Sequence, residues 1–253
     1  MKRKNLFYLS VSVFLIPLIS MILVQSCARK ASSVEDVIAA FKSGKTARIA
    51  KCFSFPYRRD YPFKTIETEK EFLAVFNEVL DEEIIKKIAD SSPEDWQQIG
   101  WRGIALNNGD VWLSESDYKI IAVNLKTKDY QSNLEEKILL DKETLPLKLQ
   151  NFKQPVAKYV VDDCIYRIDQ LNDGNYRLLI LTQNGIMFTL ENGTLSFDGN
   201  GGSHYYTWND FDGTNHIIYY DTFHDEVIYS VFMPEQNSEN VDNIWKNVAK
   251  KLK

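Results

Sequence analysis

Apolar residues follow three rhythms along this chain. Leu6 to Val24 runs for 19 residues without a charge. From Ser33 to Ala89 the apolar positions recur every three or four residues. Val34, Val37, Ile38 and Phe41 share one helical face, and Phe72, Val75, Phe76, Val79 and Leu80 share another. From Ile99 onward the rhythm shortens to alternation, broken by turn residues, which is the pattern of half-buried strands.

Punctuation sharpens the boundaries. Ser32-Ser33-Val34-Glu35 and Thr68-Glu69-Lys70-Glu71 are capping boxes, which predict helices from about Ser33 to Gly44 and from Thr68 onward. A short helix is expected over Thr46 to Phe53. Asp81 caps the next over Glu82 to Ala89, and Ser92-Pro93 places a proline at the first position of another. Asn107-Asn108-Gly109 between Ile99–Leu106 and Asp110–Leu113 predicts a hairpin, and Tyr118 to Leu125 a further strand. Residues 126–155 form a connector with a short helix from Ser132 to Leu140. Lys158 to Gln170 alternates, and Asn172–Asn175, Asn184-Gly185, Asn192-Gly193 and Asp212-Gly213 mark turns between further strands. Six or seven strands at such spacing predict an antiparallel meander, sandwich or small barrel. Asp242 to Leu252, with Ile244, Trp245 and Val248 apolar, is expected as a closing helix.

Helices first and antiparallel strands after define an α+β class. The expected organisation is an N-terminal leader (1–26), a tether (27–32), an α+β domain (33–125), the connector (126–155), and a mostly antiparallel β domain with a C-terminal helix (156–253).

Two resemblances add to this reading. Lys2, Arg3 and Lys4 precede the apolar run, and Val24-Gln25-Ser26-Cys27 follows it. This resembles the lipobox of bacterial lipoproteins. The resemblance implies cleavage before Cys27, lipidation of that residue, and attachment to the cell envelope through the lipid. Ala28 after the cysteine implies the outer membrane. A run of this length also suits an uncleaved membrane anchor. The segments Phe53–Arg59, Glu71–Ile88, Ile99–Leu113 and Lys119–Asn124 together resemble envelope proteins of the NTF2-like (cystatin-like) fold. That resemblance implies helices packed in the concave side of a curved sheet around a cone-shaped pocket.

Charge narrows the partners. The chain carries 30 basic and 35 acidic residues, a net charge of −5. Removing the leader leaves 27 basic against 35 acidic, or −8. Such a balance disfavours nucleic acid, which selects basic patches, and gives no electrostatic pull toward anionic lipid. With 13% aromatic residues the chain has ample material for a core. Three histidines and three cysteines, without CxxC or HExxH, predict neither a metal site nor a cofactor. With Cys27 lipidated, Cys52 and Cys164 remain, either bonded to each other or buried as thiols.

Four constellations carry candidate chemistry. Arg58, Trp101, Arg102 and Trp112, with Tyr57, Arg59 and Trp96 nearby in sequence, would hold an anionic or carbohydrate ligand in an NTF2-like cone. The alternative is that the tryptophans fill core and the arginines pair with carboxylates. Asp198-Gly199-Asn200-Gly201-Gly202-Ser203-His204-Tyr205 is either a partner-binding loop centred on Gly201, Gly202, Ser203, His204 and Tyr205, or a hairpin tip. Asn209 to Asn215 places carboxylates at alternate positions before Gly213, which fits a weak Ca2+ loop or an Asp-Gly turn. Ser203-His204 and His224-Asp225-Glu226 lack the spacing of a nucleophile elbow or triad. The reading that follows is a lipid-anchored envelope protein with a non-catalytic binding role toward a protein partner or small ligand, of inhibitor or immunity type. The alternative is a small-molecule carrier or enzyme using the pocket.

Overall fold

The computed structural model describes residues 32–251 apart from 162, 200–201, 223–225 and 233–244. Residues 1–31, Cys27 and the expected leader among them, and Gly201 lie outside the described residues. Among those described, no helix is long and apolar enough to cross a membrane.

Five helices open the chain: α1 (Val34–Lys42), α2 (Thr46–Ala50), α3 (Glu69–Ala74), α4 (Phe76–Val79) and α5 (Glu82–Asp90). Their caps are those the sequence announces, with small shifts. Ser33 caps α1 by accepting from Asp36 N, Thr68 caps α3 through Glu71 N, and Asp81 caps α5 through Ile84 N. The single helix expected beyond Thr68 breaks at Val75, which leaves the helical region between α3 and α4.

A four-stranded antiparallel sheet follows in the order β1 (Trp96–Gln98), β2 (Ile104–Leu106), β3 (Val111–Leu113), β4 (Ile120–Val123). The expected strand from Ile99 is instead interrupted by a 3-10 turn, Gly100–Arg102. Gly103 enforces this: its φ is +106°, and a Cβ there would lie 2.2 Å from the Leu113 carbonyl oxygen. One face of the sheet packs against the helices. Val37, Phe41, Ile49, Phe72, Leu80 and Ile88 meet Leu106, Val111, Leu113 and Ile120 in one apolar core.

The connector is more ordered than its sequence suggests. Thr127 caps α6 (Lys128–Glu143), a 16-residue helix that begins four residues before Ser132. A 3-10 turn, Leu147–Leu149, leads into the second sheet.

That sheet has eight strands: β5 (Gln154–Val161), β6 (Cys164–Gln170), β7 (Tyr176–Thr182), β8 (Gly185–Asp198), β9 (Ser203–Asn209), β10 (Asn215–Asp221), β11 (Glu226–Phe232) and β12 (Trp245–Lys251). Each pairs antiparallel with the next, and β12 pairs back to β5 through Lys250–Val160 and Lys251–Tyr159, closing a barrel. The expected closing helix is therefore corrected to a strand over Trp245–Lys251. The reason is tertiary: β11 and β5 each present an open hydrogen-bonding edge, and the last segment satisfies both. The one strand expected over Lys158–Gln170 is likewise a hairpin, β5–β6. The barrel interior is filled by Tyr159, Tyr166, Ile168, Leu178, Tyr206, Trp208, Ile218, Tyr229 and their neighbours. Trp208 lies across Gly193 and donates to the Tyr176 carbonyl at 3.0 Å.

The fold is thus α+β, with helices on a small antiparallel sheet followed by a curled antiparallel sheet closed on itself.

Candidate functional site

Strand β6 is buried on both faces, and the two faces differ in kind. Tyr166 and Ile168 point into the barrel. Arg167 and Asp169 point outward, yet both are fully buried, as is Arg177 on β7. Alternation alone would place these three in solvent. They are covered because α6 and the Leu147–Leu149 turn lie on this outer face, packing Leu145, Leu149 and Phe152 on Leu179.

Buried charge survives only when paired and hydrogen-bonded. Here the pairing is continuous. Arg167 donates from Nε to Asp169 Oδ1 at 2.7 Å and from Nη2 to Asp141 Oδ2 at 2.5 Å. Arg177 Nη2 donates to Asp169 Oδ2 at 2.6 Å and to the Leu149 carbonyl at 2.7 Å. Two guanidinium and two carboxylate groups make the cluster neutral. The Phe152 ring lies beside both cations, 5.1 Å from Arg167 Cζ and 5.5 Å from Arg177 Cζ. Burial works against the charge on Arg167, but the bonds from Asp141 and Asp169 outweigh it and raise its pKa further.

The relay reaches the first half through Tyr61, whose hydroxyl donates to Asp141 Oδ1 at 2.7 Å. Desolvation, then the hydrogen bond and charge of Asp141, raise the Tyr61 pKa. Asp141 on α6 therefore holds the loop before α3 with one oxygen and the barrel with the other. No composition or motif rule selects these residues. The available signal was two arginines and an aspartate interleaved with apolar residues on adjacent strands.

Beside this junction lies a cavity of about 120 Å³, bounded by Tyr57–Asp60, Glu78, Val79, Ala122–Lys126 and Tyr130. Arg59 forms an ion pair with Glu78 and donates from Nε to the Lys64 carbonyl at 2.9 Å. Lys126 lies 3.4 Å from Asp60 and over the Tyr130 ring. The Tyr57 hydroxyl accepts from Val123 N at 3.1 Å, and burial pushes its pKa up to about 12. A second, wider groove of about 360 Å³ runs between the α3–α4 break and α6. Its polar rim includes Asn77, Glu78, Asp129 and Asn133.

The structure separates the expected ligand set. Arg58 lines the small cavity, next to the Val123 end of β4. Trp101 and Arg102 occupy the turn between β1 and β2. By register Gln98, Ile104, Leu113 and Ile120 mark that end of the sheet, while Val111 and Val123 mark the other. Trp101 is 60% exposed, with the Arg102 guanidinium 5.8 Å from its ring. Trp112 lies on the sheet face away from the buried Val111 and Leu113, against Gly109. The four strands are three or four residues long.

Around residues 198–206 the chain makes the hairpin between β8 and β9, with Asp198 paired to Ser203. Ser203 is buried and accepts from Thr222 N at 3.1 Å. The His204 ring stands 5.2 Å from Tyr220 and 5.6 Å from Tyr206, and Tyr205 pairs with Ser196 and Tyr219. Of the five residues singled out, Ser203, His204 and Tyr205 are strand residues, and Gly202 remains in the turn. His224 and Asp225 lie outside the described residues. Cys52 belongs to the first core and Cys164 packs on the barrel core; both are free thiols, so no disulfide joins them. Desolvation pushes the Cys52 thiol up to about 11, which keeps it protonated. Residues 210–214 form a tight turn whose carboxylates serve the backbone. Asp210 Oδ1 accepts from Phe211 N and Asp212 Oδ1 from Thr214 N. No grouping of three or more His, Cys, Asp or Glu suited to a metal ion occurs among the described residues.

Comparison with family models, with curated proteins and with solved structures gives no match.

Proposed function

We propose that this chain is a lipid-anchored protein of the bacterial cell envelope, at the outer membrane, with a non-catalytic binding role. Its location rests on the basic start, the 19-residue uncharged run and Val24-Gln25-Ser26-Cys27. The binding role rests on one observation: Arg58 lines a cavity whose wall carries three cations, Arg58, Arg59 and Lys126, beside two carboxylates, Asp60 and Glu78. Such a surface recognises by charge and shape. A protein partner fits the 120 Å³ cavity better than an enclosed small molecule does, since small-ligand pockets run roughly 300–1,000 Å³. An inhibitor or immunity-type lipoprotein matches this description. The 360 Å³ groove beside α6 supports the second reading, a small-molecule carrier. An NTF2-like ancestry for the first half belongs to this proposal too, supported by helices packed on one face of an antiparallel sheet.

The test combines location and partner. Cells given an alkyne fatty acid should label the wild-type chain and not Cys27→Ser. Mild crosslinking in the native envelope should then yield a stoichiometric protein adduct that Arg58→Glu weakens. An unlabelled wild-type chain overturns the anchor. A labelled chain that purifies with a small molecule instead of a protein overturns the partner reading.

A further inference from the structure

The turn between β9 and β10 presents an unusual group. Phe211 is 98% exposed, more than any other large apolar side chain described. It does not sit on a loose loop. Asp210 N donates to the Thr214 carbonyl at 2.7 Å, and Gly213 N donates to the Asp210 carbonyl at 3.0 Å. The Asp210 and Asp212 carboxylates accept from Phe211 N at 2.7 Å and Thr214 N at 2.9 Å. Asn215 Nδ2 donates to Asn209 Oδ1 at 3.0 Å across the base. The tip is therefore an exposed aromatic side chain carried on an ordered backbone between two carboxylates. Hydrogen bonds from Thr214 hold the Asp212 carboxyl below the usual range, so it is charged at neutral pH. Exposed aromatic residues on an ordered backbone are strong binding anchors, because docking buries a large apolar surface and little backbone entropy remains to be lost. The flanking negative charges disfavour insertion into anionic lipid.

A counterpart lies on the same chain. The small cavity is lined by Val79, Leu125 and Tyr130, and by three cations, Arg58, Arg59 and Lys126, against two carboxylates, Asp60 and Glu78. Its rim is net positive on a chain that is net negative. Its volume, about 120 Å³, is on the scale of one side chain. Phe211 does not line it, so the knob does not fill the socket of its own molecule.

We propose that the Asp210-Phe211-Asp212 tip docks in the Arg58–Lys126 cavity of a second copy of this chain. Phe211 enters the cavity, and Asp210 and Asp212 face Arg58 and Lys126. The two surfaces differ, so the contact is heterologous: each copy keeps one free tip and one free socket, and association continues into chains or closes into a ring. This assignment does not depend on the lipid anchor, but it rests on the reading of the Arg58 cavity as a protein-binding surface; a different envelope protein in that cavity overturns the self-association and keeps that reading.

Sedimentation velocity of the full-length chain in detergent, over a wide concentration range, tests it. The wild type should show concentration-dependent association, and Phe211→Ala should weaken it at least about tenfold, from loss of one buried aromatic anchor. Reversing the tip (Asp210→Lys with Asp212→Lys) should abolish association, as should reversing the socket (Arg58→Glu with Lys126→Glu). Mixing the two reversed variants should restore it, because each tip then meets a socket of opposite charge. That rescue also shows that both variants are folded. A wild type that stays monomeric, association unchanged by Phe211→Ala, or failure of the mixture to associate each overturns the proposal. A monomer whose tip crosslinks to a different envelope protein overturns it in favour of that partner.

Discussion

The core of the first half and the junction between the halves are both buried, but they are held by opposite means. In the first core, Val37, Phe41, Phe72, Leu80, Ile88, Leu106 and Ile120 meet with no charged side chain among them. At the junction, Asp141, Arg167, Asp169 and Arg177 form a chain of ion pairs beside Phe152. Apolar packing is non-directional and adds up by area. Paired charges are directional and punish any misplacement, because an unpaired partner stays buried. The first region therefore supplies stability, and the second fixes how α6 seats on the barrel.

Mutations should separate these roles. The largest effect is expected from Asp169→Ala, which leaves Arg177 with no carboxylate among the described residues and Arg167 with Asp141 alone. Breaking one buried pair costs roughly 3–5 kcal/mol, so this variant should fail to accumulate as soluble protein. Replacing the whole cluster, with Arg167, Asp169, Arg177 and Asp141 changed together to apolar residues of similar volume, should recover solubility. If the single and the fourfold variants behave alike, the charges are not what makes the junction exacting.

Phe72→Ala should cost about 3–5 kcal/mol in the first core. Phe72 is fully buried and packs with Phe53 at 4.2 Å between ring centroids. Urea unfolding monitored by circular dichroism measures the loss. A much smaller loss would mean that this core relaxes around the hole.

Gly193→Ala acts on the barrel alone. The new Cβ would stand 2.1 Å from Trp208 Nε1 and break its bond to Tyr176. Overpacking of this kind costs about 1–3 kcal/mol. Tryptophan fluorescence should shift to the red, whereas an unchanged spectrum would mean that the indole does not rest on Gly193.

Two finer effects follow. Tyr61→Phe removes the one hydroxyl that ties the loop before α3 to Asp141. Its expected cost is about 1 kcal/mol, and amide exchange near Asp141 should rise while the first core stays protected. The smallest effect is set by His216. Its Nδ1 meets the Tyr229 hydroxyl at 2.7 Å, and burial lowers its pKa despite the opposing charges of Asp210 and Asp212. The folded state thus binds the proton less readily than the unfolded state. The stability from a neutral His216 is full above the ordinary histidine value, about 6.5, and is lost as pH falls below it. Thermal melts from pH 8 to 5 should show this slope in the wild type and a shallower one in His216→Gln.

Much of the secondary structure was legible before any coordinates. Ser33, Thr68 and Asp81 cap helices because short polar side chains reach the free amides of a first turn, a strictly local bond. Asn107, Asn108 and Gly109 turn the chain because all three adopt positive φ. The strands Tyr176–Thr182 and Asn215–Asp221 follow the Asn172–Asn175 and Asp212-Gly213 turns that the turn residues mark.

What failed was non-local. Asp242 to Leu252 reads as a helix by its own residues, yet Trp245–Lys251 is a strand because two sheet edges wait for it. Arg58, Trp101, Arg102 and Trp112 look like one set along the chain, but the register of four short strands sends Arg58 to one end and the Trp101-Arg102 turn to the other. The charged junction was invisible for the same reason: nothing near Arg167 in sequence says that α6 will cover it.

The sequence alone determined the helix starts at Ser33, Thr68 and Asp81, the Asn107–Gly109 turn and the α+β order, because each depends on residues within a few positions of one another. Only the tertiary structure decided the closure of the barrel, the fate of the last segment and the burial of Asp141, Arg167, Asp169 and Arg177. Those depend on which surfaces meet, and the free energy of an edge or a charge is set by what covers it.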